Sequence, residues 1–231
     1  MVTGANRGLG RALVESLLSE DAAKVYAAAR HPETLADLAA RDSRVVPLAL
    51  DLTDLEQISR AAALAADTTL LINNGGSLAF TDPLDGDLAA VDLDLRTNFI
   101  GTLATSRAFA PVIERNGGGA IVNLLSLVVF GPVPAMAGYS ASKAAASMTQ
   151  ALRAQPAAKK ITVHGVFPGA VDTDMIRAFP IPKTSAADVA AAILDGLENG
   201  QDNIFPDPMA RDGHQAWRDD PAAFERRMAS M

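Results

Sequence analysis

The stretch TGANRGLG (residues 3–10) sets three glycines within seven positions, directly before a helical pattern carried by Leu9, Leu13 and Leu17. Glycines in such a turn permit tight backbone angles and let the chain approach a ligand, with no Cβ between helix start and sheet. The first N–H groups of the following helix, reinforced by its dipole, then favour a phosphate. No Gly-Lys-Ser/Thr follows, so this is not a Walker P-loop. Taken alone, the stretch is either a phosphate cradle or a flexible turn. Such a cradle follows a strand, yet only Met1 and Val2 precede it. Either the strand begins outside this sequence or the sheet accepts a stub.

Reading outward, short apolar runs alternate with helical patterns. Residues 25–29, 45–50, 69–72, 120–125 and 161–166 have the length and two-sided apolarity of central parallel strands, Pro47 marking an imperfect one. Helices are predicted over residues 9–17, around Leu55, Ile58, Ala62 and Ala65, over 87–116, over 139–155 before Pro156, and over 186–198 before Asn199-Gly200. This alternation predicts an α/β fold with a doubly wound parallel sheet, helices on both faces and right-handed crossovers. Ligands in such sheets bind beyond the carboxyl ends of the strands. A single domain spans 1–231: mainly a cofactor half over 1–125, a catalytic and substrate half over 126–200, and a C-terminal extension over 201–231.

Composition narrows the function classes. Without cysteine there is neither disulfide nor thiolate metal site, and His31, His164 and His214 are too scattered to pair on a metal. A net charge of −7 argues against a nucleic-acid partner. Neither a bilayer-length apolar run nor a signal pattern is present, so a cytoplasmic protein is expected.

Further motifs fall at strand ends and on the flanking helices. Asn73-Asn74-Gly75-Gly76 follows the strand ending at Ile72, Asn98 lies in the long helix, and Ser126 follows the strand ending at Leu125. Tyr139-Ser140-Ala141-Ser142-Lys143 opens a helix, and Pro168-Gly169-Ala170-Val171-Asp172-Thr173 follows the strand ending at Val166. Tyr139 and Lys143, four residues apart, share a helix face. A free phenol titrates near pH ~10, and a neighbouring ammonium lowers that value toward the range useful for proton transfer.

In order and spacing these motifs resemble the short-chain dehydrogenase/reductase family, in its single-domain branch, from Thr3 to about Thr173 and more loosely to Glu198. The resemblance implies a Rossmann fold and a catalytic set of Asn98, Ser126, Tyr139 and Lys143. In that set Tyr139 exchanges a proton with the carbonyl oxygen and Ser126 hydrogen-bonds it. Lys143 holds the nicotinamide ribose, and Asn98 holds a water leading from Lys143 to solvent. It also implies cofactor contacts at Gly4, Asn6, Arg7, Gly8, Leu9 and Gly10, with Asp51 and Leu52 at the adenine and Asn74, Gly75 and Gly76 nearby. Pro168, Gly169, Val171 and Thr173 hold the carboxamide side, and Asn73 steadies the sheet. Two positions depart from the pattern: Gly75 replaces the usual alanine, predicting a looser turn, and Leu125 replaces a common serine.

The second predicted strand ends in Ala28-Ala29-Arg30, without the carboxylate that NAD binders place there. Arg7, where the resemblance places a basic residue in NADP users, and Arg30 predict NADP(H), gripping the 2′-phosphate by charge-assisted bonds; the other reading of Arg30 is a solvated loop charge. Apolar residues dominate the substrate side: Leu78, Phe80, Leu127–Phe130, Met175, Ile176 and Phe179, Arg177 being the one nearby cation. An apolar ketone or aldehyde, with a secondary alcohol in reverse, is the expected substrate, although these residues serve equally as core or interface filler. In the tail, 203–205 reads as an edge strand, and Trp217, Phe224 and Met228 as one amphipathic helix packed on its own domain or another subunit. The resemblance adds a homodimer or homotetramer. The expected activity is an NADP(H)-dependent carbonyl reductase or ketoreductase. The alternative is a non-catalytic NADP-binding sensor on the same fold.

Overall fold

In the computed structural model, which describes residues 1–144, 146–154 and 160–230, seven parallel strands form one sheet. They are β1 (Val2–Thr3), β2 (Val25–Ala29), β3 (Val45–Ala49), β4 (Leu70–Asn73), β5 (Gly119–Leu124), β6 (Ile161–Val166) and β9 (Asn203–Ile204), in the order β3-β2-β1-β4-β5-β6-β9. A two-stranded piece, β7 (Val171–Asp172) with β8 (Thr184–Ser185), lies outside it. Chain order reverses between β1 and β4, which opens a crevice at their carboxyl ends. Pro47 is tolerated because β3 is an edge strand.

The stub strand is fully integrated. Val2 pairs with Ala27 on one side and Ile72 on the other. Pairing runs past its two residues: the Ile72 N–H donates to the Met1 carbonyl at 2.8 Å, and the Ala5 N–H to the Ala28 carbonyl at 2.9 Å.

Successive strand residues point to opposite faces, so each strand feeds two cores. On one face Val2, Ile72, Val122 and Val166 meet α1 (Gly8–Ser19) and α8 (Ala186–Glu198) through Leu13, Val14 and Ile193. On the other, Leu71, Ile121 and Val163 meet α3 (Leu55–Leu64) and α5 (Thr102–Arg115) through Ile58, Phe109 and Ile113. α2 (Ala36–Arg41) lies beside β3. Among the described residues no helix is long and apolar enough to cross a membrane.

Two of the predicted central helices are corrected. The helix predicted over 87–116 consists of α4 (Leu88–Asp94), a π-helical turn at Leu95–Gly101, and α5. The wider turn carries Asn98 into the interior. π-turns occur mostly as single bulges at functional positions. The helix beginning near Tyr139 consists of α6 (Ala137–Lys143) and α7 (Ala146–Arg153); its predicted end at Gln155 lies outside the described residues.

The tail holds two helices rather than one, α9 (Pro208–Asp219) and α10 (Pro221–Ala229). Pro221 cannot continue α9, and Asp220 caps α10 by accepting the Ala223 N–H at 2.9 Å. Phe224 and Met228 are buried against Leu127, Val128 and Val133, with Trp217 alongside, so the apolar stripe covers this chain's own segment after Ser126. Truncating Phe224 to alanine is expected to cost about 3–5 kcal/mol. Urea unfolding checks this, and a loss below about 1 kcal/mol would show that the tail does not share the core.

Candidate active site

The glycine turn leaves β1 and enters α1 without a side-chain cap. Arg7 occupies the N-cap position in extended geometry, and its side chain makes no capping bond to the first N–H groups of α1. Those donors stay available to an anion. Gly4 (φ 63°) and Gly8 (φ 52°) adopt the left-handed region. A Cβ at Gly10 would lie 2.1 Å from the Gly4 carbonyl oxygen, so the helix start rests directly on the turn.

The end of β4 secures the turn from the other side of the crevice. Asn74 Nδ2 donates to the carbonyls of Thr3 (2.9 Å) and Gly4 (3.2 Å), and the Gly75 N–H donates to Thr3 Oγ1 at 2.9 Å. The Asn74 side chain thus holds backbone at the turn. Gly75 is not a loosening: its Cβ would stand 2.8 Å from Leu52 Cδ1, so the missing methyl is replaced by the buried leucine. Gly76 belongs to the catalytic side, because a Cβ there would meet Asn98 Oδ1 at 2.9 Å and Lys143 Nζ at 3.5 Å. Asn73 is buried and donates to Ser106 Oγ (3.0 Å) and Asn123 Oδ1 (2.8 Å), tying β4 to α5 and β5. Asp51 Oδ1 accepts from the Thr53 N–H and hydroxyl, at 2.9 and 2.7 Å, which fixes the bend holding Leu52.

Tyr139 and Lys143 sit on α6, with the Lys143 Nζ 5.7 Å from the tyrosine ring centre. The ammonium donates to the Leu124 carbonyl at the end of β5, at 2.8 Å. Ser126 caps the short 3₁₀ turn that follows β5 and accepts the Val128 N–H at 3.4 Å. Burial pushes the Tyr139 phenol up to about 12, while its hydrogen bond with Ser126 pulls the other way. Burial pushes Lys143 down to about 8. The ammonium's hydrogen bond goes to that backbone carbonyl, and Ser126 is the phenol's hydrogen-bond partner. At neutral pH the tyrosine is therefore a protonated donor. Asn98, 2% exposed, accepts the Ser77 N–H at 2.9 Å and donates Nδ2 to the Ser77 carbonyl (2.9 Å) and Ser142 Oγ (2.8 Å). Ser142 Oγ donates to the Tyr139 carbonyl at 2.7 Å, so Asn98 is linked to α6 through protein contacts.

The loop after β6 closes the arrangement. The Leu127 N–H donates to the Pro168 carbonyl at 2.9 Å, bringing it beside Ser126. A Cβ at Gly8 would lie 3.0 Å from Thr173 Cγ2, so this loop abuts the glycine turn. Thr173 Oγ1 donates to the Val171 carbonyl at 3.4 Å.

Residues 1–182 match the short chain dehydrogenase family. The chain belongs to that family. This short-chain dehydrogenase is 32% identical over 209 residues to an uncharacterized oxidoreductase of Staphylococcus aureus (strain USA300), spanning 85% of this chain and 89% of the relative. A short-chain dehydrogenase from Burkholderia cenocepacia J2315, solved in complex with NADP, superposes with a TM-score of 0.92 at 43% identity, over 98% of this chain and 95% of that one. One from Sphingobium yanoikuyae, in complex with NADPH, gives 0.82 at 25% identity, over 96% and 94%.

Arg7 and Arg30 are both exposed in this dehydrogenase but differ in engagement. Arg7 reaches Asp174 at 3.4 Å, and Asp174 is also bonded by Arg177. Arg7 thus links the turn to the loop after Thr173 through an exposed pair, whereas Arg30 directly follows β2. Two buried carboxylates escaped the sequence reading. Asp94 accepts from Ser77 Oγ at 2.6 Å and the Ala79 N–H at 3.0 Å. Asp207 caps α9 and accepts the Gly169 N–H at 2.8 Å, anchoring the Pro168-Gly169 loop to the tail. The Asp207-Pro208 pair was a legible cap signal. Asp94, within an acid-rich helix, carried none.

Proposed function

We propose that this dehydrogenase is an NADP(H)-dependent carbonyl reductase acting on an apolar ketone or aldehyde, with the secondary alcohol as substrate in reverse. The carrying observation is the meeting of Ser126, Tyr139, Lys143 and Asn98 at the carboxyl edge of the sheet, beside a turn whose helix N–H groups are uncapped. The residues fit a nicotinamide cofactor. Gly4, Asn6, Gly8, Leu9 and Gly10 would hold the pyrophosphate, Asp51, Leu52, Asn74, Gly75 and Gly76 would border the adenosine side, and Pro168, Gly169, Val171 and Thr173 would line the carboxamide side. Bound there, the cofactor supplies or accepts a hydride. Tyr139 gives its phenolic proton to the carbonyl oxygen, Ser126 donates a hydrogen bond to that oxygen, and Lys143 holds the ribose hydroxyls.

On the substrate side, the Phe80 and Phe179 rings meet in a tilted contact, 5.0 Å between centres, with Met175 exposed nearby in sequence, which supports an apolar substrate. The reading includes a cytoplasmic homodimer or homotetramer, supported by the exposed Leu84, Leu88, Leu93 and Ile100 in and beside α4 and the π-turn. Arg30 is the proposed 2′-phosphate contact, with Arg7 joining once released from Asp174. Replacing Arg30 by alanine is expected to raise the NADPH KM about 10-fold or more while leaving that for NADH within about 3-fold, since a charge-assisted bond contributes about 1.5–3 kcal/mol. Equal effects on both cofactors, or NADH preference in the wild type, would remove the NADP(H) assignment.

A further inference from the structure

Asp94 is only 1% exposed, although it is a carboxylate in a helix whose neighbouring acid, Asp92, pairs with Arg96 at the surface. Its two oxygens accept from a serine hydroxyl and a backbone N–H, both neutral donors. A buried charge satisfied only by neutral groups is costly unless a cation lies close enough to compensate it. The buried ammonium on the facing surface is Lys143, on α6, which packs against both α4 and the π-turn. Other groups around Lys143 do not compete for this role. Tyr139 is the ionisable neighbour on its own helix. Arg96, in the π-turn, is paired outward, and the end of β5, the 3₁₀ turn after Ser126 and the Gly75–Ser77 loop bring no charged side chain among the described residues.

The same carboxylate is also bound into the site's geometry. Ser77, which it holds by the hydroxyl, is bracketed on its N–H and carbonyl by Asn98, and Asn98 continues through Ser142 to the Tyr139 backbone. The charge acts in the direction this geometry requires: Asp94 holds up the Lys143 ammonium against burial, and it raises the Tyr139 phenol as well.

We propose that Asp94 is a positioning residue, a buried counter-charge that holds Lys143 in its ammonium form and, through Ser77, sets the placement of Asn98. The inference rests on the reading of Lys143 as the group that holds the cofactor ribose.

The test is the NADPH dissociation constant, followed by protein fluorescence as a function of pH, for wild type, D94N, D94E and S77A. The 2′-phosphate of NADPH, with its second ionisation near pH ~6, and the pyrophosphate, ionised throughout, keep their charge through the range concerned. Wild-type affinity is expected to fall as pH rises through the Lys143 value, about 8. In D94N that fall should begin on the order of one pH unit lower, the effect of removing one nearby charge. D94E should restore the wild-type position. S77A keeps the charge, so its affinity should weaken at every pH with the fall unmoved. Should D94N not fold by circular dichroism, D94L, similar in shape and without an unpaired amide, is read for the same displacement. A uniform loss of affinity in the charge-removing variant, or an unmoved fall, overturns the proposal. Wild-type carbonyl turnover keeps the two readings apart. Turnover without displacement overturns this inference alone, whereas displacement without turnover overturns the proposed activity and leaves the Asp94–Lys143 coupling standing.

Discussion

Tyr139→Phe is expected to lower kcat for carbonyl reduction by about 10²–10⁴-fold, the usual contribution of a positioned general acid. The substitution removes one oxygen and keeps the ring that packs beside Leu127, Val128 and Val133. Folding and NADPH affinity should therefore change little, by less than about 1 kcal/mol. The size of the effect follows from the absence of a replacement. Ser126 is the phenol's hydrogen-bond partner, but a serine hydroxyl is a far weaker acid, and Lys143 is directed to the Leu124 carbonyl. Steady-state kinetics with binding titrations check this. A variant retaining more than about a tenth of wild-type kcat would deny Tyr139 the proton-transfer role.

Gly10→Ala is expected to produce the largest structural effect. The added methyl would stand 2.1 Å from the Gly4 carbonyl oxygen and 2.5 Å from Asn74 Nδ2. Neither can retreat: the carbonyl belongs to the turn fixed between β1 and α1, and Asn74 is bonded to that same backbone. Overpacking against fixed backbone costs about 3 kcal/mol or more here, which lowers Tm by about 6–12 °C in a chain of this length. NADPH affinity should fall with it, since the N–H groups at the start of α1 are displaced. Gly75→Ala provides the contrast, because its nearest obstacle is the tip of the Leu52 side chain at 2.8 Å, which can give way, while Gly4 N and Thr3 Oγ1 stand at 3.3 Å. Comparable losses in both variants, by calorimetry and NADPH titration, would contradict this account of the turn.

These contrasts also mark how far the sequence could be read. Strand positions were legible because two-sided apolar runs such as residues 161–166 permit few alternatives, and β6 occupies those residues. The order of motifs likewise placed Tyr139, Lys143, Ser126 and Asn98 at one end of the sheet. The π-turn was not legible, since Leu95–Gly101 has the sequence pattern of ordinary helix and the wider turn lies in the backbone alone. The break at Pro221 was missed because the seven- and four-residue intervals of Trp217, Phe224 and Met228 persist across two helices that pack in one cluster. Gly75 looked like a loosening because the sequence cannot show that Leu52 fills its place. The Arg7–Asp174 pair was not legible, because the two residues lie far apart in the chain. Asp94 stayed hidden for a related reason. Burial of a carboxylate depends on long-range partners, here Ser77, Ala79 and the charge of Lys143.

The central claim is that these residues transfer a proton while a bound nicotinamide exchanges a hydride with an apolar carbonyl carbon. It is tested most directly by incubating the protein with NADPH deuterated at the transferable nicotinamide position and a panel of apolar ketones and aldehydes, then locating deuterium in the alcohol formed. The account predicts deuterium on the carbinol carbon, formed by the wild type and suppressed in Tyr139→Phe. NADPH that binds but delivers deuterium to no carbonyl compound, with no product difference between the two proteins, would contradict the account and leave a cofactor-binding sensor in its place.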